Sequence, residues 1–319
     1  MLSIGIDIGG MSVKIGVMDI AGRRILAKES IVTDTALTPE AFMTRCFDKA
    51  RVMVEGLGRS MDDVRDAGVG LPGCCDDEKG ILYKAVNLGW TDMPVKSISQ
   101  RILGKPVYIE NDGNVAAWAE FLTGGCRGVE SAVLLTLGTG LGGGVILNKR
   151  LHKGSRNYLA GEIGHTTLYP GGITCVCGCT GCAEMYTAAT GLILMGRQAM
   201  QKDPNGALAE AAGYKRENMT AKIVTDLARA GNAAAVEIWD RYTGDLAMVC
   251  MNISYMLDPD VIALGGGVSA AGEFLREMVQ KKAEARFFYP HQSIQINLAQ
   301  LGNDAGIIGA ALLGEHPPV

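Results

Sequence analysis

Three glycine-rich turns, each at the end of an apolar strand, constrain this 319-residue chain more than any other feature. The run LSIGIDI (residues 2–8) breaks at Gly9-Gly10, and a second apolar run (residues 13–18) follows at once, so the two read as hairpin partners. The layout returns at residues 132–137, where AVLLTL meets Gly138-Thr139-Gly140-Leu141-Gly142-Gly143-Gly144 and a further strand over 145–147. An echo at an offset of about 130 residues points to a duplicated unit. Gly265-Gly266-Gly267 closes a short buried strand over 261–264 and would let a flat ligand such as adenine approach the backbone. Paired glycines expose backbone N–H groups that cradle anions, and Asp7, at the first turn, can hold Mg²⁺ through water. Two such turns could hold a triphosphate; a plain β-turn is the other reading of the first. Neither the Walker pattern nor G-x-G-x-x-G opening a helix is present.

Between the turns the chain alternates strands and helices, which is an α/β pattern. Helical spacing covers residues 38–57, with Pro39 at its start. Buried strands are expected over 67–71, ending at Pro72-Gly73, and over 107–110, ending at Asn111-Asp112. Ligands of open α/β sheets bind at such carboxyl ends. Asp112 is therefore the candidate general base for a substrate hydroxyl attacking a phosphoryl group. Asp112 or Asn114 would equally well cap a helix over 115–122. Further helices are expected over 186–200, 220–230, 233–257 and 272–285, then a strand over 294–298. A glycine-interrupted apolar helix over 305–313 would pack back on the first half.

The segment GEIGHTTLYPGGITCVCGCTGCAE (residues 161–184) carries a different chemistry. His165, Cys175, Cys177 and Cys182 form a closed Cys3His set suited to structural Zn²⁺, with Cys179 as a bystander or a substitute ligand. The alternative is free or disulfide-bonded cysteine. Glu162 and Glu184 flank the loop and are spare to the metal; they are either acceptors for the hydroxyls of a polar ligand or solvated surface acids.

Composition narrows the classes. A net charge of −4 argues against a nucleic-acid surface. No run of about 18 apolar residues suggests a membrane span. The start, MLSIGIDIGG, has no signal-peptide pattern, and the nine cysteines are scattered or clustered for metal, so the cytoplasm is the expected compartment.

Taken together, Asp7-x-Gly9-Gly10, Gly70-Leu71-Pro72-Gly73, Glu110-Asn111-Asp112-x-Asn114, Gly138-Thr139-Gly140, Gly161-Glu162-Ile163-Gly164-His165, the cysteine loop with Glu184 and Gly265-Gly266-Gly267 resemble the ROK family of bacterial sugar kinases and repressors, from residue 4 to residue 313. The resemblance implies an actin-like ATPase (ribonuclease H-like) fold with two α/β domains around a cleft: residues 1–114 with 304–319, and residues 115–303 with the zinc loop. It implies ATP-dependent phosphorylation of a hexose with Mg²⁺ and structural Zn²⁺, in a homodimer. Glucose is the first choice, as in the glucokinase branch; N-acetylmannosamine, fructose, mannose and allose are alternatives. Carried over by position, Asp112 is the base; Gly73, Asn87, Asn111, Asp112 itself, Glu162, His165 and Glu184 are sugar contacts. Asp7, Gly9, Gly10, Ser12 and Lys14 belong to the first phosphate loop, Gly138, Thr139 and Gly140 to the second, and Gly265, Gly266 and Gly267 to the adenosine side. The repressors of the family add a helix-turn-helix before the first strand, a pattern not seen here. The family most often has Thr where this chain has Met11, a thioether that cannot donate to phosphate; Ser12 follows it. A non-catalytic sugar-binding protein is the rival reading outside enzymes.

Overall fold

The structure is a computed structural model that describes residues 1–156, 158–288 and 293–315. The last residues of the expected domain 304–319, residues 316–319, lie outside the described residues. In chain order the strands are β1 (Leu2–Ile8), β2 (Ser12–Asp19), β3 (Arg24–Val32), β4 (Val64–Leu71), β5 (Cys74–Asp76), β6 (Ile81–Ala85), β7 (Trp90–Met93), β8 (Val107–Asn111), β9 (Ala132–Leu137), β10 (Leu141–Leu147), β11 (Arg150–Leu151), β12 (Val261–Gly265) and β13 (Ile296–Leu298). The helices are α1 (Pro39–Gly56), α2 (Val95–Leu103), α3 (Asp112–Thr123), α4 (Glu184–Thr187), α5 (Ala189–Lys202), α6 (Ala207–Ala211), α7 (Ala221–Arg229), α8 (Ala233–Leu257), α9 (Glu273–Glu284) and α10 (Ala305–Ala311). Contacts divide the chain into one unit of residues 1–128, 144–161 and 301–319 and a second of 129–143 and 162–300. The expected boundary at residue 114 falls inside α3, which this division keeps whole in the first unit.

In the first unit a sheet runs β3-β2-β1-β4-β8. The expected hairpin is present: β1 pairs antiparallel with β2, with Asp7 opposite Lys14 and Ile8 opposite Val13. Strand β4 lies parallel to β1 and β8 parallel to β4, so Leu71 and Asn111 end side by side. Successive strand residues face opposite sides. Ile4, Ile6 and Ile8 join the core beneath α1, with Phe42, Met43 and Phe47. Gly5 and Gly68 face α10 instead. A Cβ on Gly68 would stand 1.8 Å from the Ala310 carbonyl oxygen, and one on Gly5 2.1 Å from that of Ile307. The last helix therefore lies directly on the sheet backbone, as the sequence suggested. Gly68→Ala should push α10 away and cost about 1–3 kcal/mol, measured by urea unfolding. A small sheet, β5-β6-β7, completes this unit. Strand β10 carries the chain in from the second unit, and its end pairs with β11, Ile146 opposite Leu151.

In the second unit β9, β12 and β13 are parallel, with Leu135 opposite Leu264 and Ile262 opposite Ile296. Helix α8 packs with α5, α7 and α9. Trp239 stacks on Tyr242 and on Phe274, giving this layer its aromatic centre. The continuous helix expected over 186–200 is two pieces. It breaks at Ala188, where ψ is 173°, because the freed groups have other partners: Tyr242 donates to the Thr187 carbonyl (2.8 Å) and the Ala189 N–H donates to Gly138 O (2.9 Å).

Candidate active site

The sheet of the first unit delivers Asn111 and Asp112 at the end of β8. The helix that follows begins at Asp112, earlier than expected, and its cap is Asn111 rather than Asp112 or Asn114. Asn111 Oδ1 accepts from the N–H groups of Gly113 (2.9 Å) and Asn114 (3.2 Å), filling donors that a helix start leaves bare. Asn111 Nδ2 donates to the Gly73 carbonyl (3.0 Å), which ties the two expected sugar contacts together. Gly73 sits at φ +111°, and a Cβ there would meet Lys84 O at 2.0 Å, so no other residue fits this corner. Asp112 itself is exposed, with Oδ1 accepting from the Gly113 N–H at 2.9 Å.

Glu110, one residue earlier, is 4% exposed. Its Oε1 accepts from the Asn111 N–H (2.8 Å) and Asn114 Nδ2 (3.0 Å), and its Oε2 lies 3.7 Å from Lys153 Nζ. Burial pushes its carboxyl from the ordinary 4.5 up to about 7, against the Asn114 hydrogen bond and the Lys153 charge, which pull it down. A carboxyl whose folded value is raised binds its proton more tightly in the native state. Its contribution to stability is complete below the unfolded value and is lost as pH rises through the folded one. The melting temperature of the wild type relative to Glu110→Gln should therefore fall between pH 4.5 and about 7; a flat difference would show that Glu110 titrates normally. Sequence reasoning placed Glu110 only in a motif and missed Lys153 altogether.

In the first glycine turn, Gly9 N–H donates to Ser12 O (3.0 Å) and Thr33 Oγ1 to Gly9 O (2.7 Å), so the turn is braced from β3's end. Asp7 Oδ2 pairs with Lys14 Nζ at 3.2 Å, and Lys14 also reaches Asn303 O at 3.4 Å. Asn87 lies beside this turn, its Nδ2 3.4 Å from where a Gly10 Cβ would be. Met11 is 88% exposed.

The second unit holds the other candidates. His165 Nδ1 stands 3.8 Å from Cys175 Sγ, and Cys177 Sγ 3.7 Å from Cys182 Sγ. All four ligand atoms lie within 4.8 Å of one another, and Cys179 is not among them. A tetrahedron with Zn–S bonds of about 2.3 Å has edges of about 3.8 Å, so the donor set fits Zn²⁺ in chemistry and size. The Cys179 backbone N–H, with the Cys175 thiol, lowers Cys177 to about 7, toward the thiolate that a metal needs. With Nδ1 turned to the sulfurs, Nε2 of His165 faces Glu162 Oε2 at 4.0 Å. Glu184 Oε2 accepts from the Leu141 N–H (3.0 Å) and its Oε1 lies 3.6 Å from Cys175 Sγ. The cysteine loop is thus joined to the second glycine turn through one carboxylate.

That turn closes on itself, Gly138 N–H donating to Gly140 O at 3.0 Å, and Thr190 Oγ1 holds the Thr139 carbonyl at 3.0 Å. Gly266, at φ +83°, presses against Leu137, whose backbone a Cβ would meet at 2.6 Å. The second and third turns are therefore neighbours. Beside Gly267 and Val268 opens a cavity of about 240 Å³, walled by Lys222, Thr225, Asp226 and Arg229 of α7.

Parallel strands feeding glycine turns, with an acid at a strand end and a capped helix behind it, define an α/β protein of the actin-like ATPase fold. The chain belongs to the ROK family, which it matches over residues 3–316. It is 35% identical to a glucokinase of Halalkalibacterium halodurans over 97% of this chain and 94% of that one. An N-acetylmannosamine kinase of Yersinia pestis is 28% identical, covering 97% of both chains. Among solved structures, the ROK family glucokinase of Streptomyces griseus in complex with glucose and AMPPNP superposes with a TM-score of 0.81. The two are 32% identical, with 98% of this chain and 99% of that one covered.

Proposed function

We propose that this protein is an ATP-dependent hexose kinase that converts glucose and ATP to glucose 6-phosphate and ADP. The observation that carries the reading is the full-length similarity to glucokinases, one of them bound to glucose and an ATP analogue, in a chain that keeps Asp112 at the carboxyl end of β8. Asp112 takes the proton from the sugar hydroxyl as that oxygen attacks the γ-phosphorus, and ADP leaves. Asn111, Asn87 and the backbone of Gly73 in the first unit, and Glu162, His165 and Glu184 in the second, offer partners for the remaining hydroxyls. Zn²⁺ on Nδ1 would fix the His165 tautomer and leave Nε2–H to donate to the sugar. Asp7 has the hard oxygen donors that Mg²⁺ takes; bound there with ATP, Mg²⁺ would neutralise phosphate charge. The turns at Gly9-Gly10 and at 138–140 receive phosphates, with Ser12 and Lys14 at the first, and Gly265 to Gly267 with the α7 cavity receive adenosine.

Zinc is structural in this reading, and a homodimer in the cytoplasm, where ATP and sugar phosphates are handled, accompanies it. The N-acetylmannosamine kinase at 28% identity supplies the second reading. Comparing kcat/KM for glucose, N-acetylmannosamine, fructose, mannose and allose tests the choice: glucose should lead, and a tenfold lead by another sugar reassigns the substrate. Met11, exposed at the first turn, offers phosphate no donor; Met11→Thr should lower the KM for ATP by about tenfold, the value of one hydrogen bond to a charged group. An unchanged KM would show that Ser12 already supplies it.

A further inference from the structure

Lys153 is the least expected charge in the first unit. Its side chain is 8% exposed, in the segment that follows β11, and it is held between two acids. Nζ bonds Asp77 Oδ1, in the turn after β5, and lies 3.7 Å from Glu110 Oε2, at the end of β8. The Lys153 carbonyl accepts from the Ala160 N–H at 3.2 Å, just before Gly161 and Glu162. One ammonium group thus joins three stretches of chain that sequence order keeps apart.

What lies beyond Glu110 gives the arrangement its consequence. The same carboxylate holds the Asn111 backbone N–H and the Asn114 side chain, the residues that set the first turn of α3. Asn111 in turn grips Gly73, whose hairpin carries Asp77. The circuit Lys153–Glu110–Asn111–Gly73–Asp77 closes around the strand end on which Asp112 stands. Buried ion pairs seldom increase stability over apolar residues of the same volume, so stability alone does not account for a buried lysine here.

We propose that Lys153 is a positioning residue for phosphoryl transfer, which through Glu110 and Asp77 fixes the end of β8 so that the Asp112 carboxylate meets the sugar hydroxyl in line. This rests on the kinase reading above. Misplacement of a reacting group by about 1 Å costs on the order of 10²-fold in rate, and that loss belongs in kcat.

The test uses the full chain as wild type, Lys153→Met, Lys153→Arg, Asp77→Asn and the neutral pair Glu110→Gln/Lys153→Met. Each is assayed for kcat and for both KM values, and its thermal unfolding is recorded. Lys153→Met and the neutral pair should lose kcat on the order of 10²-fold while the KM for ATP stays within about twofold. The neutral pair should melt close to wild type, which separates positioning from stability, and Lys153→Arg should recover a good part of the rate. Should Lys153→Met not fold, the neutral pair and Asp77→Asn carry the same comparison, with Asp77→Asn losing kcat at an unchanged melting temperature. Wild-type kcat in a destabilised Lys153→Met or in the neutral pair overturns the proposal and leaves Lys153 a structural cross-link. A wild type inactive on every hexose overturns instead the kinase reading.

Discussion

Asp112→Asn removes hexose phosphorylation almost entirely, with kcat down on the order of 10²–10⁴-fold, the usual worth of a general base. The substitution isolates the chemistry unusually well. Asn111, not Asp112, caps α3, so the helix start survives. An amide oxygen at position 112 still accepts from the Gly113 N–H that the carboxylate holds at 2.9 Å. Shape and local hydrogen bonding persist while the basic oxygen is lost. The melting temperature and the glucose dissociation constant should therefore stay near wild type, by thermal unfolding and calorimetry, while ADP release collapses. Retention of a tenth or more of the wild-type kcat would move the base elsewhere.

Loss of the zinc proposed for the cysteine loop has the second large expected effect. Cys182 is buried, and its sulfur lies within 4.8 Å of the ligand atoms of Cys175, Cys177 and His165. Cys182→Ser should abolish metal content by elemental analysis and free the stretch between Ile163 and Glu184. His165 would lose its fixed tautomer, and Glu184 its neighbour on the cysteine loop, while Leu141 N–H still holds the other oxygen. The KM for glucose should rise about 10–100-fold, the range for disturbed metal shells, and limited proteolysis should cut between residues 166 and 182. A variant that lacks zinc yet keeps the wild-type KM would detach the metal from sugar binding.

Much of this architecture is readable along the chain because burial on both faces leaves continuous apolar runs. Strands β1 and β9 are of this kind, helix α8 carries its buried residues at helical spacing, and glycine turns and caps mark the ends. Strand β3 was not expected: it is an edge strand with Lys28, Glu29 and Ser30 exposed, so it shows no apolar alternation. The small sheet β5-β6-β7 is equally hidden, since its strands are short and its residues mixed. The break between α4 and α5 could not be read locally, because Tyr242 and Gly138, distant in sequence, satisfy the groups it frees. The spacing of one histidine and three cysteines singled out the four residues whose ligand atoms lie within 4.8 Å of one another, while leaving Cys179 open as a substitute. The Glu110–Lys153–Asp77 circuit had no such signal. Lys153 and Asp77 are 76 residues apart, and a lone lysine in a loop reads as a solvated charge.

Hexose-dependent ADP release from ATP and Mg²⁺, with the sugar product identified, decides the assignment. The expected result is turnover with glucose to glucose 6-phosphate by zinc-loaded wild type, slower by about 10²-fold or more in Asp112→Asn. ADP release no faster with any hexose than without sugar, from protein carrying its zinc, would contradict it.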